Sequence, residues 1–140
     1  MTVGLSAVNT ADAWLNVFRG GGAGSNITAP STVYVQLHTA DPAGSGTTAV
    51  STAGSRQAIT FGASAAVSTT RAITSSNAPQ WTNWAGTNGE VVTHVSFWSA
   101  SSAGTFYWSA ALAASKTVGT GDTVTLTSGA TSLALSPIAA

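Results

Sequence analysis

Two nearly identical stretches of sequence flank a short loop, and this arrangement limits the possible folds more than any other feature of the chain. Residues 97–100 read Phe-Trp-Ser-Ala, and residues 107–110 read Tyr-Trp-Ser-Ala. The Ser-Ser-Ala-Gly stretch at 101–104 has the composition of a four-residue hairpin loop. The sequence therefore predicts an antiparallel hairpin over residues 91–112.

The register of this hairpin divides its side chains between two faces. If Ala100 pairs with Thr105, Phe97 lies opposite Trp108, and alternate side chains point to opposite sides of the sheet. One face is then an apolar core face, made of Val91, Val95, Phe97, Trp108, Ala110 and Leu112. The other face carries two aromatic rings among small polar groups, and it consists of His94, Ser96, Trp98, Tyr107, Ser109 and Ala111. Trp98 and Tyr107 have three interpretations: a cross-strand pair beneath the helix or a loop, the centre of a protein interface, or a platform for stacking a sugar.

Apolar residues recur at every second position in other short segments as well. Val33, Val35 and Leu37 alternate with polar residues over 32–39, which is typical of a half-buried strand. Further short segments are predicted at 57–61, 67–73, 81–84, 123–127 and 131–136. Roughly seven or eight strands separated by turn signals favour a mainly β chain, folded as an antiparallel β-sandwich of the jelly-roll type. The Gly/Ser/Thr-rich loop at 41–55 is predicted to be an inter-sheet crossover or an exposed arm.

The N-terminal region has helical spacing instead. Val8, Ala11, Leu15 and Phe18 recur at steps of three and four, and Ser6 is a good N-cap. The sequence thus predicts one short helix within residues 1–19, a Gly-rich linker at 20–31 and a β-sandwich domain at 32–140. The helix is expected to pack either on its own domain or on a neighbouring molecule.

Charge is scarce in this chain. Only 6% of its 140 residues are charged, the formal net charge is zero, and serine and threonine supply 41 residues. Soluble domains average about 25% charged residues, and hydroxyl groups are easily buried because they hydrogen-bond locally. The composition therefore predicts a surface that other subunits cover. Four scattered cationic residues give no electrostatic footprint for nucleic acid, and no apolar stretch is long enough to predict a membrane span.

Few residues could carry chemistry. His38, Asp41 and His94 are the one combination that suggests a metal site, but their spacing matches no known ligand pattern. Asp41 is more simply interpreted as the start of an Asx turn before Pro42, with His38 hydrogen-bonded nearby. Since no serine lies in a nucleophile elbow and the four acidic residues are widely spread, we expect no catalytic, cofactor-binding or metal-binding residues.

Four runs of sequence carry a resemblance to a known family. They are the stretches at 33–42, 56–62, 93–98 and 121–126, of which the first contains Leu-His-Thr-Ala-Asp-Pro. In this order they resemble a family of small virion proteins of tailed bacteriophages that is frequent in phages of actinobacteria. Its hallmark is similar to Leu-His-Thr-x-Asp-Pro-Gly, and here Ala43 is inserted before Gly44. The resemblance spans nearly the whole chain and implies a non-enzymatic, β-rich building block of the virion. Members are variously labelled tail fibre, minor tail or capsid decoration proteins.

Three functions follow as hypotheses. The first is a capsid decoration or minor capsid protein that forms dimers or trimers and stabilises the head shell. The second is a minor tail or tail-fibre protein that contacts host cell-surface glycans, and the third is a metal-dependent hydrolase. The expected partners are copies of the chain itself and the major capsid protein or tail proteins. The candidate interface residues are Trp98, Tyr107, Trp14, Phe18, Ser96 and Ser109. A charged residue at Trp98 or Tyr107 is expected to leave the domain folded but to block assembly.

Overall fold

The computed structural model describes residues 3–19, 28–67 and 70–136. A π-type helical turn at Ala7–Ala11 leads directly into helix α1, Asp12–Phe18. The strands that follow are β1 Val33–His38, β2 Gln57–Ile59, β3 Ala65–Val67, β4 Thr70–Thr74, β5 Gln80–Trp81, β6 Glu90–Trp98, β7 Phe106–Val118, β8 Val124–Thr125 and β9 Ser132–Leu135. This confirms the predicted mainly β chain with antiparallel sheets and one short N-terminal helix. No helix in the described part of the chain is long and apolar enough to cross a membrane.

The central element is a four-stranded antiparallel sheet with strand order β2-β1-β6-β7. Two smaller sheets, β3-β4-β9 and β5-β8, accompany it. One face of the large sheet forms the hydrophobic core, together with Trp81, Trp84 and Val124 from the region of the two-stranded sheet. The alternation of Val33, Val35 and Leu37 that the sequence predicted places these side chains on that face.

One irregularity changes the core face of β6. The pairing of β6 with β7 shifts between Val92 and His94, and such a bulge reverses which side chains point inward. Val92 is consequently fully buried, whereas Val91 is largely exposed. The prediction that Val91 belongs to the core face is therefore wrong.

The opposite face of the large sheet is also covered. The loop between β1 and β2, residues 39–56, folds back over it rather than forming an exposed arm. The backbone N–H of Ser51 donates to the carbonyl of Leu37, and that of Thr39 donates to the carbonyl of Ala49, both at 2.9 Å. Glycine is required at position 46, where φ is +71° and a Cβ atom would lie 2.5 Å from the ring of Phe106. The loop therefore lies directly on the hairpin.

The chain N-terminal to the helix extends the same sheet. Leu5 bridges to Trp108 along the free edge of β7. The backbone N–H of Ser6 donates to the carbonyl of Tyr107 at 2.6 Å, and the N–H of Ser109 donates to the carbonyl of Gly4 at 2.8 Å. Residues 3–6 thus lie beside β7. Most of the predicted linker, residues 20–27, lies outside the described residues, so the predicted division of the chain at 19 and 31 stays a prediction.

Candidate interaction surface

The centre of the hairpin forms as predicted, but the pairing shifts near its loop. Phe97 lies opposite Trp108, and the two rings stack with 4.3 Å between centroids and 13° between planes. This pair is confirmed. Trp98, however, lies opposite Phe106 instead of Tyr107, because the register shifts between Phe97 and Trp98.

The shift originates in a loop one residue longer than expected. The backbone N–H of Ser99 donates to the carbonyl of Thr105 at 3.0 Å, so the loop comprises residues 100–104. Ala103 and Gly104 both adopt positive φ, 50° and 77°, to close it. Since side chains alternate with a period of two, one extra residue changes the neighbour of every side chain until a bulge restores the register. The predicted pairing of Ala100 with Thr105 is therefore wrong.

Trp98 is buried within its own domain. Its side chain is only 5% exposed, and its ring lies 5.4 Å from that of Phe106. The guanidinium carbon of Arg56 lies 3.8 Å from the centroid of the Trp98 ring, which is a cation–π geometry. The prediction that Trp98 presents an exposed ring to a partner or a sugar is therefore wrong. The alternative of a ring beneath a loop is correct, although its partner across the strands is Phe106.

The other hairpin candidates are also covered. Ser96 and Ser109 are buried, and Tyr107, at the register shift, is half-buried and packs against the hydrophobic core. The β1–β2 loop covers Ser96, and residues 3–6 lie against Ser109. Ser96 and Ser109 are therefore interior side chains and do not form the exposed patch that the sequence predicted. The role of the half-buried Tyr107 in an interface stays a prediction.

A chain of hydrogen bonds explains why polar groups are buried here. The indole N–H of Trp98 donates to Ser96 Oγ at 2.7 Å, and Ser96 Oγ lies 2.7 Å from His38 Nε2. His38 Nδ1 lies 2.8 Å from the carbonyl oxygen of Thr48. Because a carbonyl can only accept, His38 must carry its proton on Nδ1 and accept from the Ser96 hydroxyl at Nε2. Every member is satisfied when the imidazole is neutral, and the network fastens the β1–β2 loop to the sheet.

The surroundings of His38 favour this neutral form. Desolvation by burial lowers the pKa of His38 below its ordinary value of 6.5, and the nearby His94 and Arg56 lower it further, against the opposing effect of the backbone hydrogen bond to Thr48. A protonated ring would also carry a hydrogen on Nε2, so the Ser96 hydroxyl, which accepts from the indole, would lose the acceptor of its own hydrogen. The buried imidazole is thus a structural group that resists protonation.

The hypothetical metal ligands are occupied by other contacts. His38 and His94 face each other across β1 and β6, but His94 Nδ1 lies 2.7 Å from the hydroxyl of Thr93. The Asp41 carboxylate accepts from the backbone N–H of Ala43 at 2.9 Å, which confirms the predicted Asx turn. Within residues 3–19, 28–67 and 70–136, no three His, Asp or Glu side chains come together in a way that could hold a metal ion.

Arg56 was missed by sequence reasoning. Besides stacking on Trp98, it donates to the side-chain oxygen of Gln36 at 3.2 Å and to the carbonyls of Ala100 and Ala103 at 2.9 and 2.6 Å. It thereby joins the hairpin loop to β1. The one available signal was a charged residue at the end of a loop that is otherwise mostly small and polar. Nothing in the local sequence pattern points to Trp98.

Glu90 plays a similar part at Thr52, four residues before Arg56 in the β1–β2 loop. Its carboxylate is buried and accepts from the backbone N–H of Thr52 at 3.1 Å and from the Thr52 hydroxyl. Hydrogen bonds to an ionised carboxylate are stronger than neutral ones. Two of the eight charged residues thus fix one loop to the sheet.

The helix meets its own domain through polar and small side chains. Ser6 caps it as predicted, accepting from the backbone N–H of Asn9 at 3.3 Å. The Asn9 amide donates to the carbonyl of Phe106 at 3.2 Å, and the Thr10 hydroxyl donates to the carbonyl of Tyr107 at 2.8 Å. Ala13 is the buried residue of helix α1. The side that contacts β7 therefore carries hydroxyl and amide groups.

The apolar side of the helix faces outward. Phe18 is 78% exposed and Trp14 44%, with 6.2 Å between their ring centroids. Six of the nine large hydrophobic residues that are exposed in the described part of the chain lie between Leu5 and Phe18. They are Leu5, Val8, Trp14, Leu15, Val17 and Phe18, and we call them the helix patch. Of the six interface residues predicted from sequence, Trp14 and Phe18 belong to it, and their contact with a partner stays a prediction.

Fold and surface together define a β-rich protein in which most of the large apolar side chains exposed in the described residues lie at one place. Over residues 5–134 the sequence matches a family described as Podophage GP4 fiber I protein gp80. Since the match covers almost the entire chain, this protein belongs to that family. This match supports the expectation of a phage virion structural protein. It does not support the more specific resemblance to the motif type found in phages of actinobacteria. No curated protein matches the chain.

Proposed function

We propose that this chain is a non-enzymatic structural subunit of a bacteriophage tail fibre. The match of residues 5–134 to a podophage fibre family carries this proposal. It favours the tail-fibre hypothesis over the capsid decoration protein that the composition suggested first. Scarcity of charge predicts burial in an assembly, but it is equally compatible with a head or a tail position.

The internal contacts suit a subunit that transmits force. The longest loop of the described chain is held at Thr48 by His38, at Thr52 by Glu90 and at Gly54 by the Gln36 amide. Because these bonds are buried or half-buried, water does not compete for them easily. A domain that is fixed at its loops keeps its shape when neighbouring subunits pull on it.

Host attachment through a glycan at Trp98 and Tyr107 is not part of this proposal. Stacking on a sugar needs an exposed ring face, and Trp98 is buried beneath Arg56. The contribution that we propose is assembly, with the helix patch as the surface that other virion subunits cover.

The location can be tested on the phage that encodes this chain. Gold-labelled antibody Fab fragments raised against the purified protein should bind the tail of negatively stained virions. A nonsense mutation in the gene should give filled heads that lack the labelled tail structure and fail to adsorb. Label on the head, or heads that lose stability when the protein is missing, would instead support the capsid decoration function. A Fab against the major capsid protein serves as the control for head labelling.

A further inference from the structure

The tip of the β1–β2 loop, residues 42–50, is fastened to the sheet at the end of β1. The backbone N–H of Thr39 donates to the carbonyl of Ala49 at 2.9 Å. The imidazole of His38 lies next to this bond, with Nδ1 2.8 Å from the carbonyl oxygen of Thr48. A side chain whose charge depends on pH therefore takes part in holding the tip down.

The base of the same loop, residues 51–56, has separate fastenings. The backbone N–H of Ser51 donates to the carbonyl of Leu37 at 2.9 Å. The backbone N–H of Thr52 donates to the carboxylate of Glu90 at 3.1 Å. None of these bonds involves His38, so the base can stay in place while the tip moves.

The closed tip is a strained piece of backbone. Ala43 and Ala49 have φ values of 59° and 51°, in the left-handed region that is unfavourable for residues other than glycine. Between them, Gly46 lies directly against the ring of Phe106. Backbone strain of this kind persists only where surrounding contacts hold it. The closed form of the tip therefore depends on its contacts with the sheet.

A second proton on the imidazole would oppose the closed form. The His38 side chain is fully buried, and protonation at Nε2 would remove the acceptor of the Ser96 hydroxyl. The charged and titratable groups that act on the ring are His94 on β6 and Arg56 at the end of the loop, and both disfavour a positive ring. The carboxylate of Asp41, in the loop itself, is engaged by the Asx turn. Since a buried charge of this kind is costly, acid favours any arrangement that returns the ring to water.

We infer that residues 42–50 form an acid-operated flap. At neutral pH the flap covers the His38 ring and lies against Phe106. When His38 takes up a second proton, the flap lifts away while residues 51–56 and the rest of the domain stay folded. The open form exposes the imidazolium and the side of Phe106 that Gly46 covered. This inference does not depend on where in the virion the protein is located.

The test is amide hydrogen exchange of the purified full-length protein, followed by NMR between pH 7.5 and pH 5. Exchange from the folded state detects local opening separately from global unfolding. The Thr39 amide reports on the flap, and the Ser51 amide reports on the base of the loop. The protection factor of Thr39 should fall by up to about 30-fold, the ratio expected if His38 regains a pKa of about 6.5 in the open state and stays neutral in the closed state. The protection factor of Ser51 should change much less.

Two variants assign the effect to one histidine. His38→Gln should remove most of the pH dependence at Thr39. His94→Gln is the matched control, because His94 lies opposite His38 on β6, and this variant should keep most of the dependence. If His38→Gln does not fold, the wild type still decides. The logarithm of its Thr39 protection factor should be nearly flat above pH about 6.5 and should fall by about one for each pH unit below it, as expected for one proton.

Three results would overturn the inference. The first is a Thr39 protection factor that does not change with pH. The second is a parallel loss of protection at Ser51, which would show that the whole loop or domain opens. The third is a pH dependence that survives in His38→Gln or disappears in His94→Gln.

Discussion

Replacing Trp98 by alanine tests whether this ring is part of the domain interior. Its side chain is 5% exposed, so truncation removes about 150–250 Å² of buried surface, or about 4–6 kcal/mol at about 25 cal/mol/Å² as an upper bound. Measured Trp-to-Ala changes in cores cost about 3–5 kcal/mol. The change also removes the cation–π contact with Arg56 and the hydrogen bond to Ser96. We therefore expect a loss of about 4 kcal/mol, a large part of the stability of a small domain.

The assay is urea unfolding followed by far-UV circular dichroism. It should be carried out over a range of protein concentrations, so that any contribution of association to the stability is detected. Trp14→Ala is the matched control, because it makes the same truncation on a side chain that is 44% exposed, and the same arithmetic gives an upper bound of only about 2–3.5 kcal/mol. A Trp98→Ala variant no less stable than Trp14→Ala would refute the burial argument. The same reasoning corrects the expectation from sequence that a charged residue at Trp98 leaves the domain folded.

Three further changes probe the contacts of the β1–β2 loop. Because the pKa of His38 is lowered in the folded state, the unfolded chain binds more protons than the folded chain below pH about 6.5. The free energy of unfolding should therefore fall by up to about 1.4 kcal/mol per pH unit as the pH drops below that value. His38→Gln should make the free energy of unfolding depend less on pH. Gly46→Ala should cost about 1–3 kcal/mol in urea unfolding, because its Cβ would lie 2.5 Å from Phe106. Gly44→Ala, with open space around it, should change stability by less than about 0.5 kcal/mol. Glu90→Gln should lower the free energy of unfolding by about 1–2 kcal/mol, because it weakens the hydrogen bonds that hold the loop. It should also accelerate hydrogen exchange of the loop amides. Unchanged exchange would contradict the role of Glu90 in holding the loop.

Signals that act over a few residues predicted local structure well. The Ser6 cap, the Asx turn at Asp41 and the alternation of Val33, Val35 and Leu37 are all present. Each depends on the geometry of one turn of backbone or on the two-residue period of a strand. These features need no knowledge of which segments meet in space.

Register could not be predicted from the same signals. The loop at 100–104 is one residue longer than its composition suggested, and this alone exchanges Tyr107 for Phe106 opposite Trp98. Because of the register shift after Val92, Val92 is buried and Val91 is exposed, the reverse of the prediction. Both features are register shifts, and one extra residue in a strand is compatible with the same two-residue alternation on either side of it.

Whether an aromatic side chain is covered depends on contacts between distant segments. Trp98 is buried because Arg56 and the β1–β2 loop fold back onto it, and neither contact leaves a trace in sequence spacing. Phe18 is exposed because the hydrogen bonds of Asn9 and Thr10 turn the other side of the helix toward β7. The spacing of apolar residues at steps of three and four predicted a helix correctly. The same spacing fits a helix whose apolar side faces the core and one whose apolar side faces outward.

The contacts of Arg56 and Glu90 show what two of the few charged residues do. Arg56 and Glu90 are used to fasten a loop, so fewer charges remain to keep copies of the protein apart. Asp12 and Arg19 are two of those that remain, and they stand at the first residue and at the C-cap of helix α1. A neutral surface rich in hydroxyl groups does not by itself select a partner, because such groups exchange water for protein contacts at little net gain. In the described chain, exposed apolar area and opposite charges coincide on the outward side of one short helix, and for this reason we propose the helix patch as the surface that other subunits cover.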